Sequence, residues 1–270
     1  MPELPEVETI VNNLRPALSG RTITAVNLLW ARTLAVPTPP EFQARLPGQT
    51  IRQLGRRGKH VLLYLITDTL IIHLRMSGDL LIEADGQPQS EHCRLALSLD
   101  NGQRLAFNDA RKFGRVWLTA NPAEVLARLG PEPLDEAFTP QMFYRLLQAR
   151  RRQLKPLLLD QTFIAGLGNI YADESLHRAQ LHPLTLAHTL SAAQAEALWR
   201  AIRQTLQEGI RRNGASIDWV YRHGDFQNHF RVYQRSGQPC PACGAPIVRI
   251  LVGQRGTHFC PVCQPLPLEV

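Results

Sequence analysis

The sequence predicts an α+β protein of two domains: an N-terminal antiparallel β-sandwich with flanking helices, then a helical domain that ends in a short β-hairpin. Three observations predict this fold. The first ~120 residues consist mainly of short β-type runs, residues from 139 onward have helical periodicity, and four cysteines in two close pairs lie near the C-terminal end. The length of 270 residues also suits two domains better than one.

The first domain is predicted to begin with an amphipathic helix. Apolar residues between Val7 and Leu14 have the i, i+3, i+4, i+7 spacing of one helix face, and Pro5 suits the first turn. Further along, the Asn101-Gly102 pair is typical of a tight hairpin turn. The predicted strands lie at residues 22–30, 60–66, 70–76, 80–84, 94–99 and 104–107.

A proline-containing segment separates the two domains. A helix starting at Asn121-Pro122 is expected to stop at Gly130, and Pro131-Glu132-Pro133 stiffens the chain beyond it. Further helices are predicted to begin at Thr139-Pro140 and at Ser191, which opens a capping box. The predicted divisions are a first domain at 1–130, a linker at 131–138, a helical domain at 139–235 and a cysteine-containing hairpin at 236–270.

The charge balance favours a polyanionic partner. The chain has 30 Lys and Arg against 23 Asp and Glu, a formal net charge of +7. A basic, well-solvated surface explains the same numbers, so charge alone does not decide. The apolar run Val61 to Ile66 is far shorter than the roughly 20 residues of a membrane span, and the N-terminus lacks the layout of a secretory signal. We therefore expect a cytoplasmic protein without a membrane partner.

The four clustered cysteines predict one structural zinc ion. Cys240 and Cys243, followed by Cys260 and Cys263, have the spacing of two zinc knuckles on a β-hairpin. Two disulfides are the alternative, which a reducing compartment disfavours. Four thiolate ligands leave no open position for water, so the metal is expected to be structural. Cys93 is predicted to be a small core residue.

The N-terminal residues could carry covalent chemistry. Removal of Met1 would leave Pro2 as a secondary amine beside Glu3, and an α-amino group, with a pKa near 7.7–8.0, is partly unprotonated at neutral pH. Its attack on a sugar C1′ would give an iminium ion that acidifies the C2′ proton, and Glu3 could shuttle protons. The alternative is that Pro2 and the glutamates only shape and complement the start of a helix.

Several separate motifs, in the expected order, give the chain a close resemblance to the formamidopyrimidine-DNA glycosylase family. The motifs are the opening MPELPEVET, Gly58-Lys59-His60, His73-Leu-Arg-Met-Ser-Gly78, Asn108-Asp-Ala-Arg111-Lys-Phe113-Gly114, Ala165-Gly-Leu-Gly-Asn-Ile-Tyr-Ala-Asp-Glu174 and the four-cysteine finger. This resemblance spans almost the whole chain. It implies a helix-two-turn-helix domain, a zinc finger and damaged double-stranded DNA bound between the domains. It also implies an enzyme that excises oxidised purines and cuts the strand by β- and δ-elimination. We expect it to act in the bacterial cytosol and nucleoid, and as a monomer, since cleft binding to one duplex site requires only one chain.

The resemblance also implies roles for individual residues. Pro2 would be the Schiff-base nucleophile and Glu3 the general acid and base, with Glu6 and Glu174 in support. Lys59 joins the catalytic set and is also expected to grip a phosphate. The other expected DNA contacts are His73, Met76, Arg111, Phe113, Lys155, Asn169 and Arg255. Met76, Arg111 and Phe113 match a trio that fills the void left by a flipped nucleotide; core packing is the alternative for Met76 and Phe113.

One departure from the family pattern bears on substrate choice. Only Arg222-His-Gly-Asp225 stands where well-known members have a longer loop that folds over flipped 8-oxoguanine. We therefore expect weaker action on 8-oxoguanine than on ring-opened formamidopyrimidines or further oxidised bases. Two other functions remain open at this point: an endonuclease VIII-like glycosylase for oxidised pyrimidines, and a non-catalytic zinc protein that binds damaged DNA.

Overall fold

The computed structural model describes residues 1–84, 86–216 and 224–266. Met1–Arg128 form the body of a first compact unit, and Leu129–Ala215 together with residues 224–266 form a second. The division falls next to Gly130. Residues 131–138, predicted as a linker, belong to the second unit, where Arg203 and Trp199 donate hydrogen bonds to their backbone carbonyls.

Two β-sheets make up most of the first unit. One has four antiparallel strands in the order β1-β7-β8-β6, and the other has five strands in the order β2-β9-β5-β4-β3. The two sheets are antiparallel, as predicted, except at one edge, where β2 runs parallel to β9. The strands are β1 Ile23–Leu28, β2 Leu34–Val36, β3 Gln53–Arg57, β4 His60–Tyr64, β5 Thr69–His73, β6 Gly78–Ala84, β7 Cys93–Leu99, β8 Gln103–Asp109 and β9 Arg115–Thr119.

Three helices accompany the two sheets. They are α1 Leu4–Leu18, α2 Pro39–Arg45 and the short α3 Ala123–Leu126. The predicted apolar face of α1 is buried, and its side chains join both sheets in one hydrophobic cluster. Burial of this face against the sheets stabilises the helix and fixes where its N-terminus lies.

The second unit is built from four helices and a hairpin. They are α4 Pro140–Gln148, α5 Leu154–Leu159, α6 Asn169–Arg178, α7 Ala192–Arg211, and the strands β10 Val248–Val252 and β11 Arg255–Phe259. Ser191 caps α7 in a reciprocal capping box with Gln194, as predicted. Helices α6 and α7 pack closely because Gly209 has no side chain: a Cβ there would lie 2.5 Å from the Tyr171 ring. Within the described residues, no helix combines the length and apolar character needed to cross a bilayer.

Candidate functional site

Three of the predicted active-site residues are buried at the start of α1 or just before it. Pro2, Glu3 and Glu6 are all buried, and the Glu6 carboxylate accepts the backbone N–H of Glu3 at 2.8 Å as part of a reciprocal capping box. Two carboxylates are favourable here because the N-terminal end of a helix carries partial positive charge. The cap fixes the backbone of Glu3, and therefore the direction in which the chain leads to Pro2.

The turn between β3 and β4 carries Lys59. This residue is only 4% exposed and follows Gly58, whose φ of 56° favours glycine. Arg56 holds the turn, since its guanidinium donates to the Gly58 carbonyl and to the Glu8 carboxylate, each at 2.9 Å. Because Glu8 lies on α1, Arg56 connects the helix that follows Pro2 and Glu3 with the turn that carries Lys59.

His73 lies beside this turn at the end of β5. It pairs with His60 of β4, and the two rings stand edge to face with centroids 4.6 Å apart. Burial, together with the charges of His60, Arg75 and Lys59, lowers the pKa of His73 to about 2. The ring is therefore neutral, and its Nδ1 accepts the backbone N–H of Arg75 at 3.0 Å. The proton must then sit on Nε2, which makes that atom a hydrogen-bond donor.

Two exposed turns of the first unit, residues 74–78 and 109–114, carry the predicted void-filling trio; we call them the two tips. Met76 lies in the turn between β5 and β6 and is 37% exposed, while Phe113 lies between β8 and β9 and is 50% exposed. The guanidinium carbon of Arg111 is 4.9 Å from the centre of the Phe113 ring. This exposure excludes the alternative that Met76 and Phe113 are core residues.

In the second unit, the structure brings Asn169 and the finger hairpin together. Asn169 is the first residue of α6, and its side-chain Nδ2 donates to the carbonyl of Gly256 at 3.0 Å. Gly256 follows the exposed Arg255, which begins β11. The helix N-terminus and the guanidinium thus lie on neighbouring backbone, an arrangement suited to a phosphate.

Lys155 differs from the prediction of a direct DNA contact. Its side chain is 0% exposed, and its Nζ donates to Asp173 Oδ1 at 2.5 Å and to the Asn169 carbonyl at 3.0 Å. The other carboxylate oxygen of Asp173 accepts the backbone N–H of His258 at 2.8 Å. The ammonium group is committed to a buried ion pair, so Lys155 connects α5, α6 and the finger from inside the unit.

Glu174 also differs from its predicted role in the active site. It is 2% exposed, and its carboxylate accepts the backbone N–H groups of Arg231, Val232 and Tyr233 at 2.8–3.1 Å. Burial raises the pKa of Glu174, and these three donors oppose the shift. The carboxylate thereby anchors the segment that leads into the finger, which is a structural role within the second unit.

The four finger cysteines converge as a zinc site requires. Their Sγ atoms all lie within 4.8 Å of one another, with Cys240 and Cys263 3.9 Å apart and Cys243 and Cys260 3.4 Å apart. Tetrahedral zinc with Zn–S bonds of about 2.3 Å needs sulfur separations of about 3.8 Å. Backbone N–H groups point at Cys240 and Cys260 Sγ, as they do around thiolates. The four residues therefore fit one structural zinc ion, and the cysteines are free of disulfides.

Sequence reasoning missed several polar residues that support these groups. Ser77 and Asp109 join the two tips, Asp173 holds Lys155, and His177 places its Nε2 3.3 Å from Cys240 Sγ. Ser77, Asp109 and Asp173 all lie inside the motifs that carry the family resemblance. They could have been found in the sequence as polar residues that lie inside these motifs but were given no role.

A two-unit α+β fold with a zinc-binding hairpin, exposed aromatic and basic tips and a helix N-terminus beside an arginine defines a class of nucleic-acid-binding proteins. Three family models match the chain: "Formamidopyrimidine-DNA glycosylase N-terminal domain" at residues 1–116, "Formamidopyrimidine-DNA glycosylase H2TH domain" at 129–220 and "Zinc finger found in FPG and IleRS" at 237–266. The chain belongs to the formamidopyrimidine-DNA glycosylase family.

Relatives and solved structures agree with this membership. The chain is 50% identical over 272 residues to the formamidopyrimidine-DNA glycosylase of Chloroflexus aurantiacus and 48% identical over 274 residues to that of Chloroflexus aggregans. These alignments cover 98% of this chain and 98% and 99% of those proteins. Among solved structures, the Lactococcus lactis enzyme in complex with abasic-site DNA matches with a TM-score of 0.92 at 35% identity. That match covers 98% of this chain and 100% of the other. A complex of the wild-type Lactococcus lactis enzyme with DNA containing N7-benzyl-Fapy-dG matches equally well, at 36% identity.

Proposed function

We propose that this protein is a bifunctional DNA glycosylase and AP lyase of base excision repair, which excises oxidised purines and cuts the strand at the resulting abasic site. The observation that carries the proposal is the buried segment at the start of α1, where Pro2 directly precedes the capping box of Glu3 and Glu6 in a chain of this family. The partner is damaged double-stranded DNA. The proposed location is the bacterial cytosol and nucleoid, with the protein acting as a monomer.

The proposed chemistry begins at the Pro2 nitrogen. After Met1 is removed, the amine lone pair attacks C1′ of the damaged nucleotide, the glycosidic bond breaks and the base leaves with a proton. Opening of the sugar ring gives an iminium ion, which withdraws electrons and acidifies the C2′ proton. Loss of that proton expels the 3′ phosphate, and a second elimination expels the 5′ phosphate. Glu3 transfers the protons, and Glu6 holds the Glu3 backbone in place.

The remaining residues are proposed to hold the distorted DNA. Extrusion of a nucleotide costs a few kcal/mol, which contacts to the flanking phosphates must offset. Lys59 supplies a charge and His73 a neutral N–H donor from the first unit, while Asn169 and Arg255 do so from the second. Met76, Arg111 and Phe113 are proposed to occupy the space vacated in the duplex.

Borohydride trapping tests this function. Protein lacking Met1 is incubated with duplexes that carry formamidopyrimidine-guanine, 8-oxoguanine, an oxidised pyrimidine or an abasic site, and any iminium is reduced to a stable adduct. We expect an adduct that maps to Pro2. A matched variant with one extra N-terminal residue keeps the fold but converts the amine to an amide, so it should bind DNA without trapping. Binding without any adduct from the wild type would establish a non-catalytic damage-binding protein instead.

The lesion ranking is a further proposal. The loop Arg222 to Asp225 lies partly outside the described residues, so this proposal rests on its short sequence. A shorter segment has less chain with which to cover a flipped base than the longer loops of well-known family members have. We infer that formamidopyrimidines are better substrates than 8-oxoguanine.

A further inference from the structure

A buried pair of polar residues joins the two exposed tips of the first unit, residues 74–78 and 109–114. The Ser77 hydroxyl donates to Asp109 Oδ1, and the same Ser77 Oγ accepts the backbone N–H of Arg111 at 3.1 Å. The second carboxylate oxygen of Asp109 accepts the backbone N–H of Gly114 at 2.6 Å. Ser77 is 8% exposed and Asp109 is 0% exposed. One hydrogen-bonded chain therefore runs from one tip to both ends of the other.

Both tips pack closely against one buried aromatic ring. The first tip closes through a hydrogen bond of 2.9 Å from the Gly78 N–H to the Leu74 carbonyl. A Cβ on Gly78 would lie 2.8 Å from the Phe107 ring, and a Cβ on Gly114 would lie 2.4 Å from it. The two glycines thus let both tips rest on the same buried ring.

The chemistry of the pair makes it costly to break. Without the Ser77 hydroxyl, Oδ1 of a buried carboxylate loses its donor and the Arg111 N–H loses its acceptor. The Gly114 contact would survive. The tip that carries Arg111 and Phe113 would then be closed on itself but would have lost its side-chain hydrogen bonds to the tip that carries Met76.

We propose that Ser77 and Asp109 are positioning residues that hold Met76, Arg111 and Phe113 as one rigid unit for filling the void left by a flipped nucleotide. The proposal rests on the proposed function, in which these three side chains enter the duplex. Ser77 acts through the backbone of Arg111, and Asp109 acts through Ser77 and through the backbone of Gly114. Neither residue takes part in bond making at the sugar.

The test compares substrates that do and do not need void filling. Ser77→Ala is assayed for strand cleavage on a damaged duplex and on a single-stranded abasic oligonucleotide, which has no opposite base. We expect cleavage of the duplex to fall about tenfold and cleavage of the single strand to stay within about twofold of wild type. Ser98→Ala, a matched change in β7 away from both tips, should leave both rates unchanged.

A spectroscopic measurement reports the void directly. With 2-aminopurine opposite a non-cleavable abasic analogue, wild-type binding should change the fluorescence as Arg111 and Phe113 replace the missing stacking partner. Ser77→Ala should bind with most of that change lost. Asp109→Ala, which removes the acceptors of both the Ser77 hydroxyl and the Gly114 N–H, should lose at least as much of it.

Three outcomes would overturn the proposal. They are a wild-type fluorescence change in both variants, unchanged cleavage of the duplex, or an equal fall on duplex and single strand. Nonadditivity gives a further check, because the effect of Ser77→Ala should shrink in a Met76→Ala background if both act through one unit. If the wild type formed no borohydride-trapped adduct, only the proposed function would be refuted, because the fluorescence of the bound complex would still report on the role of Ser77 and Asp109.

Discussion

Substituting Lys155 separates an internal role from a contact with DNA. Its ammonium group is 0% exposed and lies 2.5 Å from Asp173 Oδ1, and the pair also ties the Asn169 carbonyl and the His258 backbone together. Lys155→Met keeps the length and apolar stem of the side chain but leaves the Asp173 charge buried without its cation. Breaking a buried ion pair in this way costs about 3–5 kcal/mol. We therefore expect the free energy of unfolding of the second unit to fall by about that amount.

The matched control is Arg151→Met, which removes an equal charge from an exposed neighbour and should leave stability nearly unchanged. A second variant tests the cause. In Lys155→Met combined with Asp173→Asn, no buried charge is left unpaired, and the new amide can still accept the His258 N–H. The double variant should therefore be more stable than Lys155→Met alone.

Urea unfolding, followed together with DNA affinity over a range of salt concentrations, decides between the two roles. A residue that contacts a phosphate contributes a slope of about −0.9 to log K against log salt for duplex DNA. We expect Lys155→Met to lose stability while its salt slope stays at the wild-type value. Unchanged stability with a slope smaller by about one unit would refute the buried ion pair and restore the direct contact predicted from the sequence.

Three further predictions follow from the site. Removing zinc, or substituting Cys260→Ser, should unfold the finger and lower DNA affinity by at least about tenfold, because the position of Arg255 depends on the hairpin. Circular dichroism and titration with a zinc indicator check this, and a metal-free protein that is folded and still binds DNA would contradict it. The folded-state pKa of His73, about 2, lies below the unfolded value near 6.5, so protonation of His73 favours the unfolded state. The contribution of the neutral ring to the free energy of unfolding is therefore fully present above pH 6.5 and is lost as the pH falls. At pH 5 the loss is about 2 kcal/mol, which His73→Gln should abolish in unfolding curves measured at pH 8 and pH 5. Excision of formamidopyrimidine-guanine should be faster than that of 8-oxoguanine, and comparable single-turnover rates would end the short-loop hypothesis.

Local patterns predicted the elements that depend on neighbouring residues. The periodicity of residues 7–14 predicted α1, the Ser191 cap predicted α7, and the cysteine spacing predicted the convergent thiols that the structure places within 4.8 Å. Strand β2 was missed because its three residues are held by a parallel pairing with β9, far along the chain. The run 70–76 was predicted as one strand, yet it ends at His73, where the chain turns through Arg75 at a positive φ of 55°.

Long-range partners explain the two corrections at the site. The carboxylate partner of Lys155 is 18 residues away, and the backbone donors to Glu174 are 57 to 59 residues away, so no local pattern could show either contact. Lys155 had been expected to contact DNA and Glu174 to support the active site because the family resemblance implied those roles. A residue with such an expected role can instead hold the backbone of a neighbour that is proposed to contact DNA.

Burial and the partners of each hydrogen bond distinguish residues that face solvent from residues that hold other parts of the protein in place. Met76, Phe113 and Arg255 are exposed and are proposed to contact DNA, whereas Lys155 and Asp109 are fully buried and make their polar contacts within the protein. Buried charges are expensive unless every polar atom is paired, so they occur where the geometry they impose is needed. In this protein they lie directly beneath the tips and the hairpin that are proposed to grip the DNA. The side chains proposed to offset the cost of extruding a nucleotide therefore have a backbone that is held in place by buried contacts. For this reason, substitutions beneath the surface should impair cleavage of the duplex more than cleavage of a single strand.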